Sequence, residues 1–493
     1  MNSKPTLSAL LIFTMLAATA CTDIGTPSET TGEATSTEPE VTTAPAEYQN
    51  PGVNYEDQTI TIASYSYSTA SQITKYNILL DEENGDKIND AIVERNRKVE
   101  DELGVNLELY ILTSDDRGSS AKLQKSILAG DDEFDFALTM NAGLAPMLTT
   151  DGMLVDLNTI NTLDLSHSWW NQNANNEYTL YGKQLTAVGD ICFFNLGAPI
   201  VNYFSKDMIE TYKLDDPYQL VYDGKWTIDR MIKMATDVAD DLNGNQIVED
   251  ADQFGFAAEV DSLGYFMIGA GIRMSEHDSN GDIKITLNSE RTVNIVEKLV
   301  PFFYTANVSR LQAKTEKSYS SVHTEYFQPK LGANELLFYS NQLMVALNMR
   351  VNEADFGVLP MAKYDESQEN YISFANTWWS DHLVVPATCS NLDRAGNVID
   401  AMGYYAQQLI IPAFIDTTVL AKTVRDEDSA NMIKLIRDTQ TFDIAYIFDW
   451  GGIRSFIASS LANSNSTAFA SEYASREANI KAALESTVET LKD

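Results

Sequence analysis

The sequence predicts an α/β protein in which helices cover largely parallel sheets, and three observations predict it. Short β-branched runs alternate with amphipathic stretches of helical period between residues 58 and 140. The alternation resumes near Ile200 and continues past residue 360, so a second region of the same class follows the first. The chain is 493 residues long, and 44% apolar residues with 23 Tyr, 20 Phe and 6 Trp supply more than one core. At roughly 150 residues per domain this means two large domains or three smaller ones.

In chain order, the first segment is an export signal. After Lys4 an apolar stretch runs over 7–20 (LSALLIFTMLAATA) and stops at Cys21. It is too short for a membrane span of about 20 residues, and polar sequence follows at once. Ala18-Thr19-Ala20 reads as an A-x-A cleavage site and also resembles a bacterial lipobox, with Ala18 where a Leu is usual. On the lipobox reading Cys21 becomes the lipidated N-terminus of the mature protein, anchored outside the cytoplasm; on the other reading the protein is secreted and soluble. From Thr22 to about Tyr48 the chain is Thr, Ser, Glu, Pro, Ala and Gly without Lys or Arg. Such a segment cannot bury enough surface to offset its ordering entropy, and it suits a tether between anchor and folded body.

The folded elements follow. QTITIAS (58–64) alternates Ile60 and Ile62 with Thr as a strand. A helix then places Ile88, Ile92, Val99 and Leu103 on one face, opposite Glu94, Arg97, Lys98 and Asp101, and ends at Gly104. Val105, Leu107 and Leu109 alternate as a second strand, a helix spans 119–129 up to Gly130, and FDFALTM (134–140) is a third strand. Ligands of such sheets sit at the carboxyl ends of strands, here at Tyr65, Ser66, Tyr67 and Asn141. In the second region Thr227 caps a helix, strands are expected near 253–258 and 283–287, and helices at 289–304 and 332–341. LMVALNM (343–349) and DFGVLPM (355–361) read as buried strands, and helices at 395–409, 427–439 and 466–491 close the chain.

Charge excludes one class of partner. With 71 acidic against 34 basic residues the formal charge is −37, which repels phosphate backbones, so nucleic acid is not expected. The four histidines, His167, His277, His323 and His382, are scattered, and neither H-E-x-x-H, G-x-S-x-G nor a P-loop occurs. Cys192 and Cys389 have no metal-like spacing, and whether they pair is not readable from sequence. DLNGNQIVEDAD (241–252) puts Asp241, Asn243, Asn245, the Ile247 carbonyl, Glu249 and Asp252 at positions 1, 3, 5, 7, 9 and 12 of an EF-hand-like calcium loop. Gln246 replaces the usual glycine and Asp252 the usual Glu, so the alternative is an Asx-rich turn. DSNGD (278–282) lacks the later ligands and reads as a hairpin turn.

The ordered segments NRKVEDELGVNLEL (96–109), LVDLNTI (154–160), LDLSHSWWN (163–171), YGKQLTAVGD (181–190), VNYFSKDMIE (201–210), GKWTIDRMIKMA (224–235), DQFGF (252–256) and FGVLPMAKYDESQENY (356–371) together resemble the extracellular solute-binding proteins of bacterial ABC importers, in the branch that binds maltodextrins and other oligosaccharides. The resemblance implies a periplasmic-binding-protein-like clamp of two α/β lobes joined by crossing strands. A signal peptide would occupy 1–20 and the lipid-anchored linker 21–52. The first lobe would take 53–199 plus about 380–440, and the second 200–379 plus about 441–493. It implies a non-catalytic monomer that captures a solute, most simply an oligosaccharide, and hands it to an ABC permease, with no cofactor beyond a structural Ca²⁺. Rival readings are an exported carbohydrate-active enzyme and a sensor or adhesin subunit built on the same clamp.

A sugar site needs aromatic platforms edged by polar groups. Trp450 and Arg454 stand at i and i+4 in DWGGIRSF, a spacing that lines the cleft in maltodextrin binders. Trp378 and Trp379 in ANTWWSD are expected to follow the strand that returns to the first lobe, Arg350 and Tyr265 align with second-lobe cleft positions, and Tyr65, Tyr67 and Asn141 supply the opposite wall. Trp169 and Trp170 belong to a family motif expected to pack within the lobe.

Overall fold

A computed structural model describes residues 48–66, 75–113, 119–140, 143–351, 355–419 and 427–492. The export signal, Cys21 and nearly all of the linker lie outside the described residues, as do Tyr67 and Asn141. Among the described residues no helix is long and apolar enough to cross a membrane.

The first sheet grows from the alternation seen in sequence. Strand β1 (Gln58–Ser64) pairs in parallel with β2 (Val105–Ile111) from Gln58 opposite Val105 to Ser64 opposite Ile111, and with β3 (Phe136–Thr139) through Ile62 opposite Phe136. Helix α1 (Lys87–Leu103) makes the first crossover. Asp86 caps its start by accepting from the Ile88 and Asn89 N–H groups, and Gly104 ends it at φ 60°. That left-handed turn is the reason for glycine there, and a Cβ would also strike the Asn54 side chain. Helix α2 (Ser119–Ala129) makes the second crossover.

The second sheet is mixed. Its strands are β4 (Ile200–Ser205), β5 (Phe254–Ala258), β6 (Ser309–Leu311), β7 (Leu336–Gln342) and β8 (Phe356–Leu359), in spatial order β6-β5-β7-β4-β8. β5 runs parallel to β6 and β7, while β4 runs antiparallel to β7 and β8. Helices α3 (Ile228–Val238), α4 (Ser262–Gly269) and α5 (Glu290–Phe303) belong to this region; α3 is capped by Thr227 as its sequence predicts. Strand β9 (His382–Val384) then returns to the first sheet antiparallel to β3, with Leu383 opposite Leu138. Helix α6 (Leu392–Val419) lies along α1. Helix α7 (Glu427–Asp438), with Met432, Ile433 and Ile436 buried, packs on β8 of the second sheet and on α6, so the returning segment touches both sheets' layers. Helix α8 (Phe469–Lys492) closes the chain.

Two sequence expectations are corrected. The helix expected over 332–341 is strand β7, and the strand expected over 343–349 is a tight turn continuing into the helix Ala346–Val351. The 278–282 turn does join a hairpin, Ser275–His277 with Ile283–Ile285. Cys192 and Cys389 are both buried free thiols.

Candidate binding cleft

Strand ends build the site. β5 ends at Ala258, and the chain turns at once through Glu259 and Asp261 into α4, which carries Tyr265. β7, hydrogen-bonded beside it, ends in Asn341 and Gln342. His323 opens the helical segment over 323–332 that precedes β7, and Asn376 and Trp379 come from the segment that leads into β9. These residues face one cavity of about 500 Å³. A second cavity of about 270 Å³ shares Asp261 and Tyr265 with it and adds Tyr446, Arg454 and Ser455. The volumes suit a ligand of a few rings.

Local bonds fix these groups. The Tyr265 ring stacks on Phe374 at 5.8 Å between centroids, and its hydroxyl accepts from Asn376 Nδ2 at 3.4 Å. The Gln342 N–H donates to Asn341 Oδ1 at 2.7 Å, so the Asn341 amide nitrogen points the other way and donates to His323 Nδ1 at 3.2 Å. Asp261 opens at the junction of the cavities. Partial loss of solvent first, and the neighbouring Glu259 second, push its carboxyl above the usual Asp range, with Arg454 pulling back. Flat rings beside amides, carboxylates and a guanidinium suit a polyhydroxylated solute with apolar C–H faces.

The cleft gathers Tyr265, Trp379 and Arg454 of the expected residues. Trp450 is a correction. Gly451 at φ 57° and Gly452 at 78° break the helix between Trp450 and Arg454, so the two do not share a face. Arg454 turns to the smaller cavity, whereas Trp450 is 2% exposed, stacks on Phe448 and donates from Nε1 to Thr487 Oγ1 of α8 at 3.0 Å. Tyr65 sits at the end of β1 as expected but is 1% exposed, and its hydroxyl donates to Asp381. Cys192 Sγ donates to the other Asp381 oxygen at 2.6 Å. Burial raises the Asp381 carboxyl, and the two donors partly offset this. Arg350 and Trp378 lie in the helix Ala346–Val351 and the turn Thr377–Trp379. Glu259, Asp261, His323, Asn341 and Asn376 were missed by sequence. The strand-end rule that picked Tyr65 and Asn141 in the first sheet, applied to β5 and β7, finds Glu259 and Asn341.

Trp169 and Trp170 border a separate polar cavity of about 390 Å³ with Asp190, Gln407 and Arg437. Their ring nitrogens donate to Asp400 Oδ1 at 2.9 and 3.3 Å, and both are buried, so they act in packing. In loop 241–252 the side chains serve the backbone. Asp241 accepts from the Gly244 and Gln246 N–H groups at 2.8 and 2.6 Å, Asn245 from Ile247 at 2.6 Å, and Asp252 Oδ2 from Glu249 at 2.9 Å. Glu249 accepts from the Asn243 and Asn245 amides. Among the described residues no group of three or more His, Cys, Asp or Glu stands close enough to hold a metal ion. Gln246 does take a left-handed turn, φ 62°, and Asp252 Oδ1 is buried without a partner.

No family model matches the chain, and no curated protein matches it. Solved structures do. An ABC substrate-binding protein of Listeria monocytogenes in complex with cycloalternan is similar at TM-score 0.53 and 13% identity, over 88% of this chain and 98% of that one. The GacH receptor of Streptomyces glaucescens, solved free and with acarbose, is similar at TM-score 0.53 and 12% identity, over 89% and 99%. A cyclo/maltodextrin-binding protein with maltotetraose gives TM-score 0.53 and 13% identity over 88% and 97%. The fold is therefore the two-lobed α/β clamp of periplasmic-binding-protein type.

Proposed function

We infer that this protein is a non-catalytic, extracytoplasmic solute-binding protein that takes up an oligosaccharide between its lobes and presents it to an ABC permease. The observation that carries this reading is the cavity at the ends of β5 and β7, where Tyr265, Trp379, Asn341, Asn376 and two carboxylates meet. Structures of similar fold that hold cycloalternan, acarbose or maltotetraose support the saccharide class. The test is thermal stabilisation by a library of neutral oligosaccharides, with new reducing ends assayed in parallel. Stabilisation without cleavage is expected; cleavage would make it an enzyme, and no stabilisation by any saccharide would overturn the reading.

The 7–20 apolar segment and Cys21 support a lipid anchor. The wild-type protein is expected in the membrane fraction and Cys21→Ala outside it; a wholly soluble wild type would reject the anchor. Loop 241–252 is read as a calcium loop whose left-handed bend at Gln246 is that of the sixth EF-hand position, with Asp241, Asn243, Asn245, the Ile247 carbonyl, Glu249 and Asp252 as ligands. Ca²⁺ added to chelator-treated protein should stabilise it by about 2.7 kcal/mol at a hundredfold excess over Kd, an increment absent in Asp241→Ala. No shift in the wild type would leave the loop an Asx turn.

A further inference from the structure

The charge of the cleft is one-sided. Glu259 and Asp261 both face the larger cavity, and Asp261 also faces the smaller one. Among the described residues lining the two cavities, Arg454 is the one Lys or Arg, and it pairs with Asp449 at 3.6 Å. His323 also faces the larger cavity, beside Glu259. Its Nδ1 lies 3.2 Å from the Asn341 amide nitrogen and 2.9 Å from the Tyr339 hydroxyl, and its Nε2 lies 3.5 Å from Glu259 Oε2. Two carboxylates thus stand over one cavity, close enough for Glu259 to raise Asp261. A chain with 71 acidic and 34 basic residues adds a long-range field of the same sign.

These charges sort saccharides. A neutral sugar donates hydroxyls to the carboxylates but leaves their mutual repulsion in place. A uronic acid adds a third like charge. An ammonium both donates and cancels charge, and charge-assisted bonds are the stronger kind.

We propose that Glu259 and Asp261 are specificity-determining residues that make the cleft favour a saccharide bearing a free amino group, seated where the two cavities meet at Asp261. This rests on the saccharide-binding reading above and names its ligand class.

The experiment compares, by calorimetry, isosteric pairs that differ only in amine for hydroxyl: the β-1,4-linked trimer of glucosamine against that of glucose, then each neutral saccharide found in the library against its own 2-amino-2-deoxy analogue. A galacturonic acid trimer is the anionic control. The amine is expected to bind at least about fivefold tighter than its neutral partner in low salt, with the advantage shrinking as salt is added and the uronate weakest. In Glu259→Gln and in Asp261→Asn the ratio of the two dissociation constants should fall toward one. That ratio is read within each variant, so a general loss of affinity does not imitate the effect. Neutral saccharides that bind wild type with no amine advantage, or an advantage untouched in both variants, overturn the charge proposal and leave the saccharide reading standing. A wild type that binds neither neutral nor aminated saccharides overturns both.

Discussion

The two sheets end in the same kinds of residue and use them in opposite ways. At the end of β1 in the first sheet, Tyr65 meets Asp381, and Cys192 and Asn195 complete the group. Tyr65 and Asp381 are 1% and 3% exposed, and the Asp381 backbone N–H donates to Asn195 Oδ1 at 2.8 Å. At the end of β5 in the second sheet, Glu259, Asp261 and Tyr265 border a cavity of about 500 Å³. A tyrosine and an aspartate at the carboxyl end of a parallel strand are therefore not yet a binding site. What separates the two is whether the hydrogen bonds are already made within the protein. Buried polar groups must be satisfied, and at β1 they satisfy one another.

The largest expected effect separates the tryptophans in the same terms. Trp450→Ala should lower stability by about 3 to 5 kcal/mol, because it empties a packed site against Phe448 and α8. Chemical denaturation measures it. A variant that keeps full stability and loses solute binding would return Trp450 to the cleft.

Next in size is a pH effect at the polar cavity beside Trp169 and Trp170. Burial raises the Asp190 carboxyl from 3.8 to about 6, with Arg437 at 2.9 Å pulling it down. The folded state thus keeps a proton that the unfolded chain has released, so the stability from this group is full below 3.8 and lost as pH rises to about 6. The change is about 3 kcal/mol. Asp190→Asn should remove that slope, leaving Arg437 able to reach water. Parallel melting-temperature profiles of wild type and variant between pH 4 and 6 would count against it.

On the open side Trp379→Ala should cost about 2 kcal/mol in solute affinity, roughly thirtyfold, with little change in melting temperature. Titration of whichever saccharide stabilises the wild type tests it. A thermally weakened variant of normal affinity would make Trp379 a packing residue like Trp450.

Most elements were legible because their signals are local. The Gly104 cap, the Thr227 cap and the Ile60–Ile62 alternation each depend on a few neighbouring residues. The exchange of helix and strand over 332–349 shows where that stops. LLFYSNQLMVALNM has no Gly or Pro, and its polar stretch Ser340-Asn341-Gln342 lies inside β7 itself, so no breaker marks the turn that follows. The turn is set from afar: the Tyr203 hydroxyl lies 2.8 and 2.7 Å from the Gln342 and Leu343 carbonyls and accepts the Ala346 N–H at 3.1 Å. The candidate site was half legible for the same reason. Tyr265, Trp379 and Arg454 stood out as residue types, but the i, i+4 spacing of Trp450 and Arg454 assumed a helix that the glycines between them interrupt. Glycine pairs carry that warning, and here it outweighed the spacing.

The smallest effect tests the contrast between strand ends most directly. Tyr65→Phe removes the hydroxyl that donates to Asp381 and leaves Cys192 as the remaining side-chain donor to that carboxyl. A buried hydrogen bond lost with its ring retained should cost about 1 kcal/mol of stability. Because the hydroxyl is already committed to Asp381, solute affinity should not change. If Tyr65 instead faces the solute in the bound protein, the same substitution should weaken binding by about fivefold while stability holds, since one hydrogen bond to ligand is worth about as much as one within the protein. Calorimetric titration and denaturation of one variant therefore give opposite patterns for the two arrangements. The second pattern would make the β1 end a wall of the cleft, and the two sheets would then differ only in which of them closes on the solute.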